Sequence, residues 1–128
     1  MKKDVPERRS PQLLEENLKK ALTELLILYL LASREYYIGE LTDVIRERSG
    51  GTLSISFPYA VIYRMTRSGY IVERGKRNAP DGRLRQYYGI TDNGREYLSG
   101  LLDIYTKFTK GVSIIIEGEN HDSSGKKI

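Results

Sequence analysis

Five cations stand within twelve residues in the second half of the chain. Arg74, Lys76, Arg77, Arg83 and Arg85 face one acid, Asp81, a local surplus of four positive charges. The whole 128-residue chain has a net charge of +4, so the remainder is about neutral and the basic bias belongs to this segment. Just upstream, helical spacing over residues 58–68 puts Val61, Ile62 and Met65 on one face. Tyr59, Tyr63, Arg64 and Arg67 fall on or beside the opposite one. Phenols and guanidiniums without a neighbouring acid suit phosphate oxygens, and arginine can also grip guanine through two parallel hydrogen bonds. Composition alone leaves the alternatives open, because a cationic hairpin can be a solvated surface and a helix arginine half of an ion pair.

Other chemistries find little support. The chain has no cysteine, which excludes disulfides, thiolate zinc sites and cysteine nucleophiles. Its one histidine, His121, lies in a polar C-terminal stretch. The carboxylates are scattered, with no acid–base pair and no nucleophile constellation, so no catalytic residue, metal or cofactor is expected. Gly50-Gly51 reads as a helix stop rather than a phosphate-binding loop. The longest apolar run, residues 25–32, is far short of the roughly 20 residues a membrane helix needs. The first ten residues are charged rather than apolar, so no signal peptide is expected and the cytoplasm is the expected compartment.

The elements that would position the basic segment can be read in order. Residues 1–9 are mixed charge and expected to be flexible. Ser10-Pro11 offers a hydroxyl cap followed by proline at the first helical position. The helix beyond it is amphipathic at first and apolar nearly all round from Leu25 to Leu31, so it must be covered on several sides. Residues 33–37 read as a connector and 38–49 as a second helix. Leu53 and Ile55 alternate with polar neighbours as a short strand or extended segment. Pro58 fixes the start of the next helix and Gly69 its end. Strands are expected over 70–76 and 85–91, joined through the turn-rich residues 78–82. Tyr87 and Tyr88 alternate across the second of these, one inward and one outward. Thr91-Asp92 caps a last helix over 92–117, with Asp92 as the cap, Gly94 a packing or turn residue and Gly111 a weak point. Residues 118–128 are polar and expected to be disordered. The last helix carries more apolar positions than a two-turn core contact requires, and the surplus reads as a subunit surface. Helix, helix and hairpin in this order describe a mainly α fold with a small β-hairpin, a winged helix-turn-helix with N- and C-terminal dimerisation helices: residues 10–91 form the winged helix domain with its N-terminal helix, and 92–117 the C-terminal dimerisation helix.

The residues also carry a resemblance. Gly82-Arg83-Leu84-Arg85-Gln86-Tyr87-Tyr88-Gly89-Ile90-Thr91-Asp92-Asn93-Gly94 is similar to the G-R-x-R-x-Y-Y-x-L/I-T-x-x-G signature of PadR-family transcriptional regulators. Residues 22–31 resemble that family's T-x-E-L-L-I-L-x-L-L opening helix. Arg48-Ser49-Gly50-Gly51 resembles the end of its second, and residues 59–65 its Y-x-x-L/I-x-R-L/M recognition helix. Three departures stand out. Ile38 occupies the place of glycine in Y-G-Y-E-I/L, with Gly39 where the second aromatic would be; Phe57-Pro58 replaces Thr-Leu; and there is no tryptophan to stack on a ligand.

The resemblance implies a homodimer held by its first and last helices, repression at a palindromic site on double-stranded DNA and, in some relatives, release by a flat apolar or phenolic effector. On that reading Ser56, Tyr59, Tyr63, Arg64, Arg67, Lys76, Arg77, Arg83 and Arg85 contact DNA, with Arg83 and Arg85 foremost in the wing. Leu14, Leu18, Leu22, Leu98, Leu101, Tyr105, Phe108 and Val112 form the dimer interface. The competing reading is a ligand-sensing or protein-contact module with weak or no DNA binding, its pocket lined by parts of 14–31 and 92–116.

Overall fold

The computed structural model describes residues 8–123. Helix α1 (Pro11–Leu31) begins as its sequence dictates: the Ser10 hydroxyl accepts the Gln12 amide at 3.2 Å, and Pro11 occupies the first turn. Its second half is buried through Ile27, Leu28, Leu30 and Leu31, and Ile27 and Leu28 are wholly enclosed. Each such side chain removed from water contributes roughly 1.5–3 kcal/mol before entropy is counted. Strand β1 (Tyr36–Tyr37) follows, then α2 (Ile38–Arg48), α3 (Pro58–Arg67), β2 (Ile71–Asn78), β3 (Leu84–Ile90) and α4 (Asp92–Ser123).

The sheet is antiparallel in the order β1-β3-β2. Three expectations are corrected here. The stretch 33–37 is not only a connector, because Tyr36 and Tyr37 pair with Tyr88 and Tyr87 and fill the free edge of β3. Residues 53–56 pair with no strand and run as a loop, with Ile55 buried and the Leu53 amide held by the Ser49 hydroxyl at 2.9 Å. Nor do Tyr87 and Tyr88 divide into one buried and one outward. Tyr88 packs against the main core beside Tyr36. Tyr87 is buried on the other face, edge-on to Tyr37 at 5.6 Å and beneath the Arg77 guanidinium at 3.8 Å.

A bulge between Glu73 and Lys76 sets Arg74 and Gly75 opposite one residue of β3. Gly75 takes φ +97°, a left-handed conformation that side chains oppose. An extra residue at such a point bends and twists the ribbon, so the outer half of the hairpin is re-aimed relative to the core.

Thr91, not Asp92, caps α4. Its hydroxyl accepts the Gly94 amide at 2.9 Å and donates to the Gly69 carbonyl at 2.6 Å, while Asp92 supplies negative charge in the first turn. The helix passes through Gly111 and continues to Ser123, beyond the expected end at 117. The tail expectation therefore fails for the helical residues, and 124–128, like 1–7 at the other end, lie outside the described residues.

Candidate nucleic-acid interface

The face of α3 away from the core is built by its periodicity. Val61, Ile62 and Met65 are buried, and Tyr59 and Tyr63 on the other side are 72% and 63% exposed. Arg67 lies one turn past Tyr63 and donates to its hydroxyl at 3.3 Å, which orients the guanidinium along the exposed face. Ser56 is exposed just ahead of the helix. Phe57, at the capping position, is 75% exposed and provides no side-chain cap. Phe57 and Leu84, which is 64% exposed at the wing, were not among the expected contacts. Their exposure marks them, Leu84 beside the Tyr59 and Arg85 side chains, and residue type alone carries no signal of it.

The wing cations divide into two sets. Arg77 donates to Glu35 at 2.7 Å, and Arg74 lies 3.7 Å from the same carboxylate. Arg85 is paired with Asp81 at 2.8 Å within the hairpin, and the Asp81 carboxylate also accepts the Arg83 amide at 3.0 Å. The hydrogen bond from Arg85 holds the Asp81 carboxyl below the usual range and raises Arg85 in turn. The Arg83 side chain and Lys76 form no ion pair among the described residues. Of the expected wing contacts, Arg83 and Lys76 are thus directly presented, whereas Arg77 and Arg85 are already engaged.

Arg64 is engaged as well, away from the wing. Its Nε and Nη2 both donate to Glu24 Oε2 on α1, at 3.0 and 2.9 Å. The Tyr97 hydroxyl of α4 donates to the other oxygen of the same carboxylate at 2.9 Å. That hydrogen bond, and burial after it, raise the Tyr97 phenol above its ordinary value. No metal-holding cluster of His, Cys, Asp or Glu occurs among the described residues. No described helix is long and apolar enough to cross a membrane.

Residues 27–100 match the sequence profile described as the transcriptional regulator PadR-like family. That is more than half of the chain. The chain belongs to the PadR-like family. A transcriptional regulator from Clostridium thermocellum superposes with a TM-score of 0.69 at 22% identity, over 78% of this chain and 98% of that one. A PadR-like transcriptional regulator from Bacillus cereus gives 0.68 at 25% identity, over 78% and 96%. An uncharacterised protein X of Lysinibacillus sphaericus is 28% identical over 95 residues, 73% of this chain and 86% of its own. The PadR-like fold, mostly helical with a three-stranded antiparallel sheet, is therefore as the sequence motifs implied.

The residues assigned to a PadR-type dimer contact are distributed unevenly. Leu14 and Leu18 are 63% and 49% exposed, and Tyr105, Phe108 and Val112 are 43%, 71% and 53% exposed. Leu22 and Leu101 are half-buried. Leu98 corrects the expectation: at 7% exposure it is a member of the core, since α4 packs on α1 over its first turns and projects only later. Ile104, Ile114, Ile115 and Ile116 extend the exposed apolar surface of α4.

Proposed function

We propose that this chain is a homodimeric repressor that binds a palindromic operator in duplex DNA and blocks transcription sterically in the cytoplasm. Helix α3 enters the major groove, and the β2–β3 wing lies on the adjacent backbone. One observation carries the reading: an acid-free exposed face bearing Tyr59, Tyr63 and Arg67 beside a hairpin that presents Arg83 and Lys76. Family membership supports it. The exposed apolar rows of α1 and α4 support the dimer, because a surface of that extent on a small domain calls for a partner. Two half-sites about one helical turn apart, or a multiple, would match its two-fold symmetry.

The test is selection of bound fragments from sheared genomic DNA at about 150 mM salt, near physiological ionic strength, followed by sequencing. Enrichment of an inverted repeat supports the reading. Binding without enrichment leaves only a cationic wing, and absence of binding overturns it in favour of a protein-contact module. A second reading adds a flat apolar effector held between subunits, favoured by the exposed Tyr105 and Phe108 on α4. Thermal stabilisation that rises with the concentration of small aromatics would support it, and a screen without any shift would count against it.

A further inference from the structure

Three helices meet at one carboxylate. Glu24 stands on α1, between the exposed leucines of its first half and the enclosed Ile27 and Leu28 of its second. Its Oε2 holds Arg64 of α3 by two hydrogen bonds, and its Oε1 holds Tyr97 of α4 by a third. The Tyr97 ring in turn stacks on Tyr70, with centroids 4.2 Å apart and planes 11° from parallel. Tyr70 directly follows the α3 terminus at Ser68-Gly69. The recognition helix is therefore tied to α4 twice, through Glu24 along its length and through a ring stack just past its end.

We infer that Glu24 is a positioning residue for DNA reading, and that Arg64 acts through it rather than on the bases. The inference rests on the operator-binding function proposed above and adds the device that aims the helix. Arg64 lies between the exposed Tyr63 and Arg67 in sequence, so the Glu24 link fixes the rotation of α3 that points those two side chains outward. An arginine whose Nε–Nη2 edge is occupied cannot offer that edge to guanine. If it left for DNA, a carboxylate that is 24% exposed would lose two charge-assisted hydrogen bonds.

Operator and scrambled-duplex affinities are to be measured for wild type, Glu24→Gln, Arg64→Met, the double variant and Tyr97→Phe. Glu24→Gln and Arg64→Met should each weaken operator binding by up to about fivefold, the upper end for a partly exposed ion pair. Scrambled-duplex binding should change less than twofold, and the double variant should be no worse than either single one. Tyr97→Phe keeps the ring stack and removes only the hydroxyl, so it should show a smaller loss of the same kind even where a charge-removing variant folds poorly. The Arg64 Nε–H resonance, identified by its disappearance in Arg64→Met, should keep its position when operator is added. Loss of affinity in Arg64→Met without loss in Glu24→Gln would make Arg64 a direct contact and overturn the inference. Multiplicative losses in the double variant, or equal losses on both duplexes, would also overturn it. A wild-type protein that does not discriminate operator from scrambled DNA would overturn the operator reading itself, and this inference with it.

Discussion

Replacing Gly94 with alanine sets two effects of opposite sign against each other. Gly94 is the third residue of α4, and in a helix alanine is better than glycine by about 1 kcal/mol. A Cβ at this position would stand 2.2 Å from the Tyr70 carbonyl oxygen and 2.7 Å from Ile90 Cγ1. Heavy atoms in contact ordinarily sit at about 3.5–4.0 Å, so the helix must retreat by about an ångström or more. The neighbour cannot simply turn away, because the Tyr70 carbonyl accepts the Thr91 amide at 3.0 Å and Thr91 also ties the helix to Gly69. Overpacking of this kind costs about 1–3 kcal/mol, and weakening the Thr91 contacts adds about 1 kcal/mol. With the propensity gain subtracted, the net destabilisation is about 1–3 kcal/mol, a fall in Tm of roughly 4–12 °C for a domain of this size. Thermal unfolding followed by circular dichroism would measure it, at one protein concentration because association shifts the midpoint. Gly100 serves as the internal control. It lies in the same helix with nothing within 4 Å of its added Cβ, so Gly100→Ala should leave Tm unchanged or raise it. A Gly94→Ala protein as stable as wild type, or a Gly100→Ala protein that falls equally, would refute the claim that close approach of the Tyr70 carbonyl decides this position.

The remaining predictions concern the wing. Arg83→Ala should weaken binding to every duplex and reduce the salt slope by about one unit, read by fluorescence anisotropy over a salt series; Arg77→Ala should do less, because Arg77 is already paired with Glu35. Glu35→Gln should act in the opposite direction, removing the acid that competes with phosphate for Arg74 and Arg77 and steepening the salt dependence by up to about one unit, whereas an unchanged slope would mean that no such competition occurs. Hydrogen bonds from Arg85 and from the Arg83 amide lower the Asp81 carboxyl in the folded state, so its contribution to wing order is complete above the ordinary aspartate value and disappears as pH falls through the lowered one. The Arg83 amide resonance should accordingly titrate with a midpoint below about 3.9, the unperturbed aspartate value, and Arg85→Ala should bring the midpoint back up. The Tyr97 phenol is raised, so the stability it contributes holds below the ordinary tyrosine value and is lost as pH rises through the raised one; Tyr97→Phe should flatten that alkaline decline in a urea titration.

Features written in local rules were legible in the sequence. The Ser10-Pro11 start of α1, the Pro58 start of α3, the glycine stops and the hairpin turn each depend on a few adjacent residues. Features decided by distant partners were not. Tyr36 and Tyr37 form a strand only because β3, some fifty residues on, leaves an edge open to them, whereas residues 53–56, with similar alternation, pair with no strand and are held as a loop by the Ser49 hydroxyl and the buried Ile55. Periodicity placed Leu98 on an apolar stripe but could not say which part of that stripe packs on α1 and which projects; the structure assigns Leu98 to the core. The end of α4 was missed because polar residues do not stop a helix. Gly118, though a weak former, is passed through without a break.

The same distinction applies to charge, and it changes what the wing is. Counting along the chain gave five cations and one acid, but two of those cations, Arg74 and Arg77, are met in space by Glu35, which the count excluded. A third, Arg85, is held by Asp81. Directly presented charge therefore shrinks to Lys76 and Arg83, with Arg67 on the adjoining helix. The paired arginines are not lost to binding, however. Their side chains and their acids are one-third to one-half exposed, and exposed pairs are worth only about 0–1 kcal/mol. A duplex phosphate brought close by Arg83 and Lys76 can compete for them on nearly equal terms. Held on Glu35 and Asp81, these arginines keep a folded geometry in the free protein without a large barrier to leaving it. On the operator-binding reading proposed above, the wing would be graded, with Lys76 and Arg83 meeting DNA first and Arg74, Arg77 and Arg85 following as phosphate displaces their acids. Such a wing would discriminate against brief contacts with any passing polyanion, which a hairpin of five unpaired cations would not.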